Sequence, residues 1–166
     1  MGEKLIEIEN LSVAFGAREV VHSVSFSIGK GETLALVGES GSGKSVTALS
    51  ILRLLPYPAA SHPSGTIRFA GANGGAEDLL QLPLSRLRQI RGGRIAMIFQ
   101  EPTLSLNPLH RVERQLVETI QLHKPTSDAA AKKRALELLE PVRIDDAPQK
   151  LKCFPHEMSG GQRQRV

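Results

Sequence analysis

Aromatic and sulfur-containing residues are scarce in this sequence of 166 residues, which has no tryptophan, one tyrosine and one cysteine. A single cysteine, Cys153, excludes an internal disulfide framework, so the core must form by burial of apolar side chains. No run approaches the roughly 18 uninterrupted apolar residues of a membrane-spanning helix. The N-terminus lacks the apolar segment and cleavage site of a signal peptide. We therefore expect a chain that neither spans a membrane nor is exported.

Positive charge is in slight excess, with 21 Lys and Arg residues against 17 Asp and Glu, for a net charge of +4. Nucleic-acid binding usually needs basic residues clustered on one face with aromatic residues among them, and aromatic residues make up only 4% of this chain. The basic clusters at 86–94, 132–134 and 163–165 lie beside apolar residues at helical or strand spacing. We interpret them as solvated faces and expect no nucleic-acid partner.

The first third of the chain predicts an antiparallel β layer followed by a strand, a glycine turn and a helix. Apolar and polar residues alternate in short runs at 5–8, 11–15 and 20–28, which is typical of half-buried strands. Residues 33–37 are almost continuously apolar, which predicts a strand buried on both faces. A helical pattern follows from 45 to 55 and ends at a proline.

The remaining residues predict further α/β structure and then an inserted helical subdomain. A short strand is expected at 66–69, a short helix at 79–90 and a second buried strand at 95–99. Helical periodicity then appears at 112–122 and 129–139. The last residues, from Met158 onward, look like a loop that opens a helix.

Residues 38–45 fit the phosphate-loop pattern G-x-x-x-x-G-K-[ST] between the predicted strand and helix. Gly38 and Gly43 would allow backbone angles that a Cβ forbids, so that N–H groups converge on phosphate oxygens. Lys44 would place a charge on the β- and γ-phosphates, and Ser45 would offer a hydroxyl to Mg²⁺. The alternative is a glycine-rich turn with a Lys-Ser pair. Small-molecule kinases, GTPases and transport ATPases all share such a loop, although the N-K-x-D string of GTPases is absent.

Two further motifs help to choose among kinases, GTPases and transport ATPases. Gln100 ends the second predicted buried strand, and Met-Ser-Gly-Gly-Gln at 158–162 begins a helix. With them the whole chain resembles the nucleotide-binding subunit of an ATP-binding cassette (ABC) transporter. The strings at 34–56, 95–108 and 154–166 resemble the oligopeptide/dipeptide/nickel importer branch, in particular the microcin C-type peptide importers. The resemblance implies an α/β P-loop NTPase core and β layer at 1–100, a helical subdomain at 101–158 and the start of the signature helix at 159–166.

The resemblance also implies a role for each matching residue. ATP and Mg²⁺ would be held by Gly38, Glu39, Ser40, Gly41, Ser42, Gly43, Lys44, Ser45 and Val46, with Ser45 and Gln100 as the Mg²⁺ ligands. Lys44 and Gln100 would take part in catalysis, Gln100 by reaching the attacking water. The signature residues Ser159, Gly160, Gly161 and Gln162 would bind the γ-phosphate of ATP held by the opposite subunit. Phe15 would stack on adenine, or else be an ordinary core residue at a strand end.

The family resemblance implies an ATPase that powers import of peptide-like solutes at the cytoplasmic face of the inner membrane. Its partners would be a second nucleotide-binding subunit arranged head to tail, transmembrane permease subunits and, indirectly, a periplasmic solute-binding protein. Met158 and Val46 depart only slightly from the family pattern.

A larger departure concerns the Walker-B motif, because no four apolar residues precede an aspartate anywhere in the chain. The family places that motif after the signature helix, so we expect the N-terminal part of one cassette, incomplete at its C-terminus. The first hypothesis is an ABC-type ATPase subunit. The alternative is a fragment that binds nucleotide weakly, leaves half of its apolar sheet face uncovered and is catalytically silent.

Overall fold

Residues 3–71, 75–99 and 105–166 are described by a computed structural model of the chain. They divide into two compact units, Met1–Arg91 and Gly92–Val166. The first unit contains a sheet and two helices, and the second unit is helical. None of the helices in the described ranges is long and apolar enough to cross a membrane.

The first unit contains a four-stranded sheet in the order β2-β1-β3-β4, in which each neighbouring pair is antiparallel. The strands are β1 (Lys4–Phe15), β2 (Arg18–Gly29), β3 (Ala60–Ala70) and β4 (Ala76–Asp78). The predicted antiparallel β layer is therefore confirmed. β3 is longer than the predicted 66–69, and β4 was not predicted because three residues carry no detectable periodicity.

The two predicted runs at 5–8 and 11–15 form one continuous strand with an irregularity at Asn10. Asn10 has a φ of 49°, and the register with β2 shifts between Ile8 and Leu11. Its backbone N–H donates to Ser25 Oγ at 2.8 Å, because the local ladder is interrupted there. The shift keeps Ile8, Leu11 and Val13 buried. The hairpin turn after Phe15 then brings the end of β1 against the start of β2.

Two helices complete the first unit: α1 (Lys44–Ile51) and α2 (Leu84–Ile90). α1 ends at Ile51, before the predicted residue 55. The carbonyls of Leu52 and Arg53, just beyond the helix, accept hydrogen bonds from Nε and Nη2 of Arg91, both at 2.8 Å. α2 begins after Pro83 rather than at 79, since proline disfavours helical geometry in the residue before it.

The predicted buried strands at 33–37 and 95–99 are wrong for the described structure. Neither segment forms a strand, and Val37 and Ile98 are each 91% exposed. A strand needs hydrogen-bonding partners along its length, and no described strand pairs with either segment. The other large apolar residues of the two segments that are exposed are Leu34 and Leu36 in the first and Phe99 in the second.

The second unit contains α3 (Val112–His123), α4 (Asp128–Leu139), α5 (Ala147–Lys152) and α6 (Gly160–Arg165), with a 3₁₀ turn at Pro155–Glu157. The predicted helices at 112–122 and 129–139 are confirmed to within one residue at each end. Ser127 caps α4 because its Oγ accepts a hydrogen bond from the Ala130 N–H at 3.3 Å. The core of this unit is formed by Val112, Ala135, Leu139, Ile144, Ala147, Leu151 and Met158.

Candidate functional site

The phosphate-loop residues fold around the side chain of Lys44, the first residue of α1. Lys44 Nζ donates to the carbonyl of Gly38 at 2.7 Å and to that of Glu39 at 2.6 Å. It also contacts Ser42 Oγ at 3.2 Å. These bonds hold the ammonium group inside the curve of the loop, where a bound anion would meet both the charge and the surrounding backbone.

The three loop glycines differ in backbone angle and in what a Cβ would contact. Gly43 has a φ of 87°, and a Cβ there would lie 2.8 Å from Val21 Cγ2 and 3.0 Å from the Val20 carbonyl oxygen. Gly41 has a φ of 82°, with no described atom within 4 Å of a Cβ. Gly38 has an ordinary φ, so the unusual backbone angle predicted for it is wrong; a Cβ there would instead lie 2.7 Å from Ser42 Oγ.

The first turn of α1 is suited to an anion because it carries no acidic residue and its N-cap, Gly43, supplies no side chain. Thr47 secures the turn: its N–H and its Oγ1 both donate to the Gly43 carbonyl, at 2.8 and 3.0 Å. Ser50 Oγ donates to the Val46 carbonyl at 2.9 Å, so this fully buried hydroxyl is also satisfied. Ser45 remains exposed at the start of the helix.

A pocket of about 220 Å³ joins the loop to the end of the β1–β2 hairpin. It is lined by Phe15, Val20, Gly41, Ser42, Gly43, Lys44, Ser45 and Val46. The pocket therefore has a cationic end with backbone donors and an apolar end made by Phe15 and Val20. Such a pocket fits a ligand that is anionic at one end and planar and apolar at the other.

Val20 is a lining residue that the sequence analysis missed. The hairpin register would have indicated that Val20 lies near the pocket, because Phe15 pairs with Arg18 and Val13 pairs with Val21 across the tight turn. That register places Val20 close to the end of β1. The other three predicted loop residues are exposed and do not line the pocket: Gly38, Glu39 and Ser40.

Of the two predicted Mg²⁺ ligands, only Ser45 lies within the described residues. Ser45 is exposed and lines the pocket, whereas Gln100 lies outside the described residues. In the described ranges no group of three or more His, Cys, Asp or Glu side chains could hold a metal ion.

The four signature residues lie in the second unit, where they begin α6. Ser159 is the N-cap: its Oγ accepts from the Gln162 N–H at 3.2 Å, and Gln162 Oε1 accepts from the Ser159 N–H at 3.1 Å. This reciprocal capping box fixes the first turn of the helix. Gly160 and Gly161 are exposed, and no described atom lies within 4 Å of a Cβ at either position. Packing within the described chain thus does not require glycine there.

Comparison with known proteins decides the family, since the sequence profile of the ABC transporter family matches residues 21–166. The chain belongs to the ABC transporter family. It is 57% identical to the peptidoglycan transport ATP-binding protein YejF of Agrobacterium fabrum, covering 99% of this chain and 30% of the relative. It is 45% identical to the oligopeptide transport ATP-binding protein OppD of Bacillus subtilis, covering 98% of this chain and 45% of the relative.

Solved structures share the fold of this ABC family member. A dimeric structure of MJ0796, a bacterial ABC transporter cassette, matches with a TM-score of 0.77 at 25% identity, covering 96% of this chain and 66% of that one. A post-hydrolysis dimer of MJ0796 bound to ADP and Pi matches with a TM-score of 0.74 at 24% identity, with the same coverage. The chain thus has the fold of an ABC ATPase, and it spans less than half the length of the two curated relatives named above.

Proposed function

We propose that this chain is the ATP-binding part of a subunit that couples ATP hydrolysis to the import of peptide-like solutes. The observation that carries the proposal is the pocket in which the loop wrapped around Lys44 faces Phe15 and Val20. Membership of the ABC transporter family supports it. The names of relatives, which are peptidoglycan, oligopeptide and peptide transport ATP-binding proteins, support a peptide-like solute.

The residues of the pocket fit ATP. The N–H groups of residues 41–45 and the Lys44 ammonium suit the triphosphate, and Phe15 and Val20 suit the adenine ring. Ser45, with Gln100, would hold Mg²⁺, which when bound neutralises triphosphate charge. The Gln100 side-chain amide both donates and accepts, so it would orient the attacking water without taking its proton.

A second nucleotide-binding subunit would complete the site. The Ser159 hydroxyl and the exposed N–H groups of Gly160 and Gly161 would bind the γ-phosphate of ATP held by the opposite subunit, in a head-to-tail pair. The dimeric cassettes with the same fold support this arrangement. Permease subunits, and indirectly a periplasmic solute-binding protein, would be the further partners, which puts the chain at the cytoplasmic face of the inner membrane.

The isolated chain of 166 residues should bind MgATP weakly and hydrolyse it poorly. Its sequence contains no apolar strand ending in aspartate, so the carboxylates that position Mg²⁺ and activate water in this class are missing. Residues 1–100 would form the α/β core and β layer of one cassette, residues 101–158 its helical subdomain and residues 159–166 the start of its signature helix.

The test is calorimetric titration of the purified chain with MgATP, beside the Lys44→Ala variant. We expect measurable affinity that the substitution nearly abolishes, because it removes the charge on the β- and γ-phosphates. Lys30→Ala is the matched control, since Lys30 is an exposed lysine of the same unit that does not line the pocket, and it should bind as the unsubstituted chain does. Equal affinities for the unsubstituted and Lys44→Ala chains would rule out the phosphate-loop assignment.

A further inference from the structure

Arg165, at the end of α6, makes three hydrogen bonds to backbone carbonyls. Its Nε donates to the Gly161 carbonyl at 3.1 Å, within the same helix. Its Nη1 donates to the carbonyls of Val142 and Arg143, at 3.0 and 2.6 Å. The Arg165 guanidinium therefore links the backbone of the signature residue Gly161 to the turn at Val142 and Arg143, more than 20 residues earlier in the chain.

The two upstream carbonyls are available because of the way the chain leaves α4. The Arg143 N–H donates to the Glu140 carbonyl at 2.9 Å and the Ile144 N–H donates to the Leu139 carbonyl at 3.2 Å, so the turn closes tightly. Arg143 itself has a φ of 53°. Carbonyls just beyond a helix C-terminus lack intrahelical partners and carry the negative end of the helix dipole, which a guanidinium suits.

The turn that accepts these bonds is itself anchored in the core. Ile144 is 6% exposed and belongs to the apolar cluster of the second unit, and Val142 packs against the same cluster. The signature helix has no such anchor along its length, because none of the residues Gly160–Arg165 is buried in the described structure. Met158 precedes the helix with 4% exposure, and Val166 follows it and packs on the cluster.

We propose that Arg165 is a positioning residue for the signature segment, holding the first turn of α6 in a fixed orientation relative to the Val142–Arg143 turn. The inference rests on the proposed function, in which Ser159, Gly160 and Gly161 meet the γ-phosphate of the opposite subunit. The Ser159 Oγ accepts a hydrogen bond from Gln162, so its own proton remains available for that phosphate. Arg165 touches no reacting atom and acts through the backbone that it holds.

The functional test uses a chimaera in which this chain replaces the matching residues of the Agrobacterium relative. For Arg165→Ala we expect kcat for ATP to fall about tenfold, while nucleotide affinity stays within about twofold, because the phosphate loop is untouched. Arg165→Lys, which keeps the charge but loses the planar fork, should recover part of the lost rate. Arg134→Ala is the matched control, since Arg134 is an exposed arginine of α4 whose ion pair is with Glu137.

Ser159→Ala separates failure of this inference from failure of the proposed function. If Ser159→Ala lowers kcat and Arg165→Ala leaves it within about twofold of the unsubstituted chimaera, the positioning role is wrong and the signature assignment stands. If neither substitution changes kcat, the signature assignment fails as well. A loss of nucleotide affinity in Arg165→Ala equal to its loss of kcat would also overturn the positioning role.

Deuterium exchange in the chain of 166 residues provides the structural readout. In Arg165→Ala we expect faster exchange at residues 140–146 and 160–166, with exchange in α3 unchanged. Faster exchange throughout α3 and α4 would show that Arg165 is needed for the whole helical unit to fold, and would overturn a local positioning role. Unchanged exchange at 160–166 would equally contradict the proposal.

Discussion

At the scale of single residues, Gly41 and Gly43 of the phosphate loop can be compared to separate the effect of backbone strain from that of steric overlap. Gly41 and Gly43 both have φ above 80°, where any residue with a Cβ is strained by about 1–2 kcal/mol. Only a Cβ on Gly43 would also overlap β2, at Val20 and Val21. The contact with the Val20 carbonyl oxygen involves backbone, so relieving it requires a shift of the strand or the loop.

We therefore predict that Gly43→Ala lowers the affinity of the chain for MgATP about tenfold more than Gly41→Ala does. The measurement is calorimetric titration of both variants and the unsubstituted chain. Their thermal unfolding midpoints, recorded alongside, check that each variant is folded. Equal affinities for the two variants would show that contact with β2 does not set the shape of the loop.

Phe15 is either a residue that stacks on the base or a core residue at a strand end. Comparing the affinities for two ligands distinguishes these interpretations. Phe15 lines the pocket beside Lys44 and is half-buried, so its ring is accessible to a ligand. We predict that Phe15→Ala weakens ATP binding about fivefold and leaves binding of inorganic tripolyphosphate unchanged, because only ATP carries a base to stack. An equal loss of affinity for both ligands would show that Phe15 is a core residue of the unit and does not stack on the base.

At the scale of elements, the start of β3 carries a histidine in an unfavourable environment for its charged form. Among the described residues, His62 Nε2 is buried without a hydrogen-bond partner, and His62 Nδ1 lies 3.5 Å from the Tyr57 hydroxyl. Burial lowers the pKa of His62 below its ordinary value, and the nearby Arg53 lowers it further. The unfolded chain therefore binds a proton at His62 at a higher pH than the folded chain does.

It follows that the free energy of unfolding should decrease as the pH falls from about 7 to about 5, where the unfolded state takes up the His62 proton first. The His62→Gln variant should show a shallower decrease over the same range. Urea unfolding at several pH values gives both slopes. Identical slopes for the two proteins would mean that His62 does not contribute to the pH dependence.

The elements that could be predicted from the sequence are those whose pattern is local. α3 and α4 follow from apolar residues at helical spacing, with Ser127 as a visible cap, and the β1–β2 hairpin follows from alternation around a tight turn. Residues 33–37 were misjudged because an apolar run reports hydrophobicity, whereas strand formation depends on a partner elsewhere in the chain. The short β4 and α5 lack a detectable period.

Parts of the candidate site were equally predictable, and for the same reason. The phosphate loop is a contiguous string, so the turn at Gly43 and the helix that begins at Lys44 could be predicted from the sequence, while the roles of these residues toward ATP stay predictions. The contact of Val20 with the pocket and the bonds of Arg165 to the 142–143 turn depend on folding, and no spacing rule indicates them. Gln100 lies outside the described residues, so its role stays a prediction.

At the scale of the whole molecule, we expect the chain of 166 residues to bind ATP without hydrolysing it efficiently. The described chain contains the Lys44 loop and the signature segment, whereas its sequence contains no Walker-B string. Exposed apolar residues such as Val37 and Ile98 lie in segments that pair with no described strand. We therefore expect the chain to keep some ground-state affinity for ATP and to lose water activation, for which this class of ATPase uses carboxylates beyond the signature segment.

Steady-state phosphate release by the chimaera tests whether residues 38–45 hold the ATP that is hydrolysed. We expect turnover by the chimaera, near-complete loss of turnover in its Lys44→Ala variant, and phosphate release slower by several orders of magnitude from the chain of 166 residues alone. Turnover in the Lys44→Ala chimaera equal to that of the unsubstituted chimaera would contradict the claim. Comparable rates from the isolated chain and the chimaera would mean that a carboxylate within this sequence activates the water.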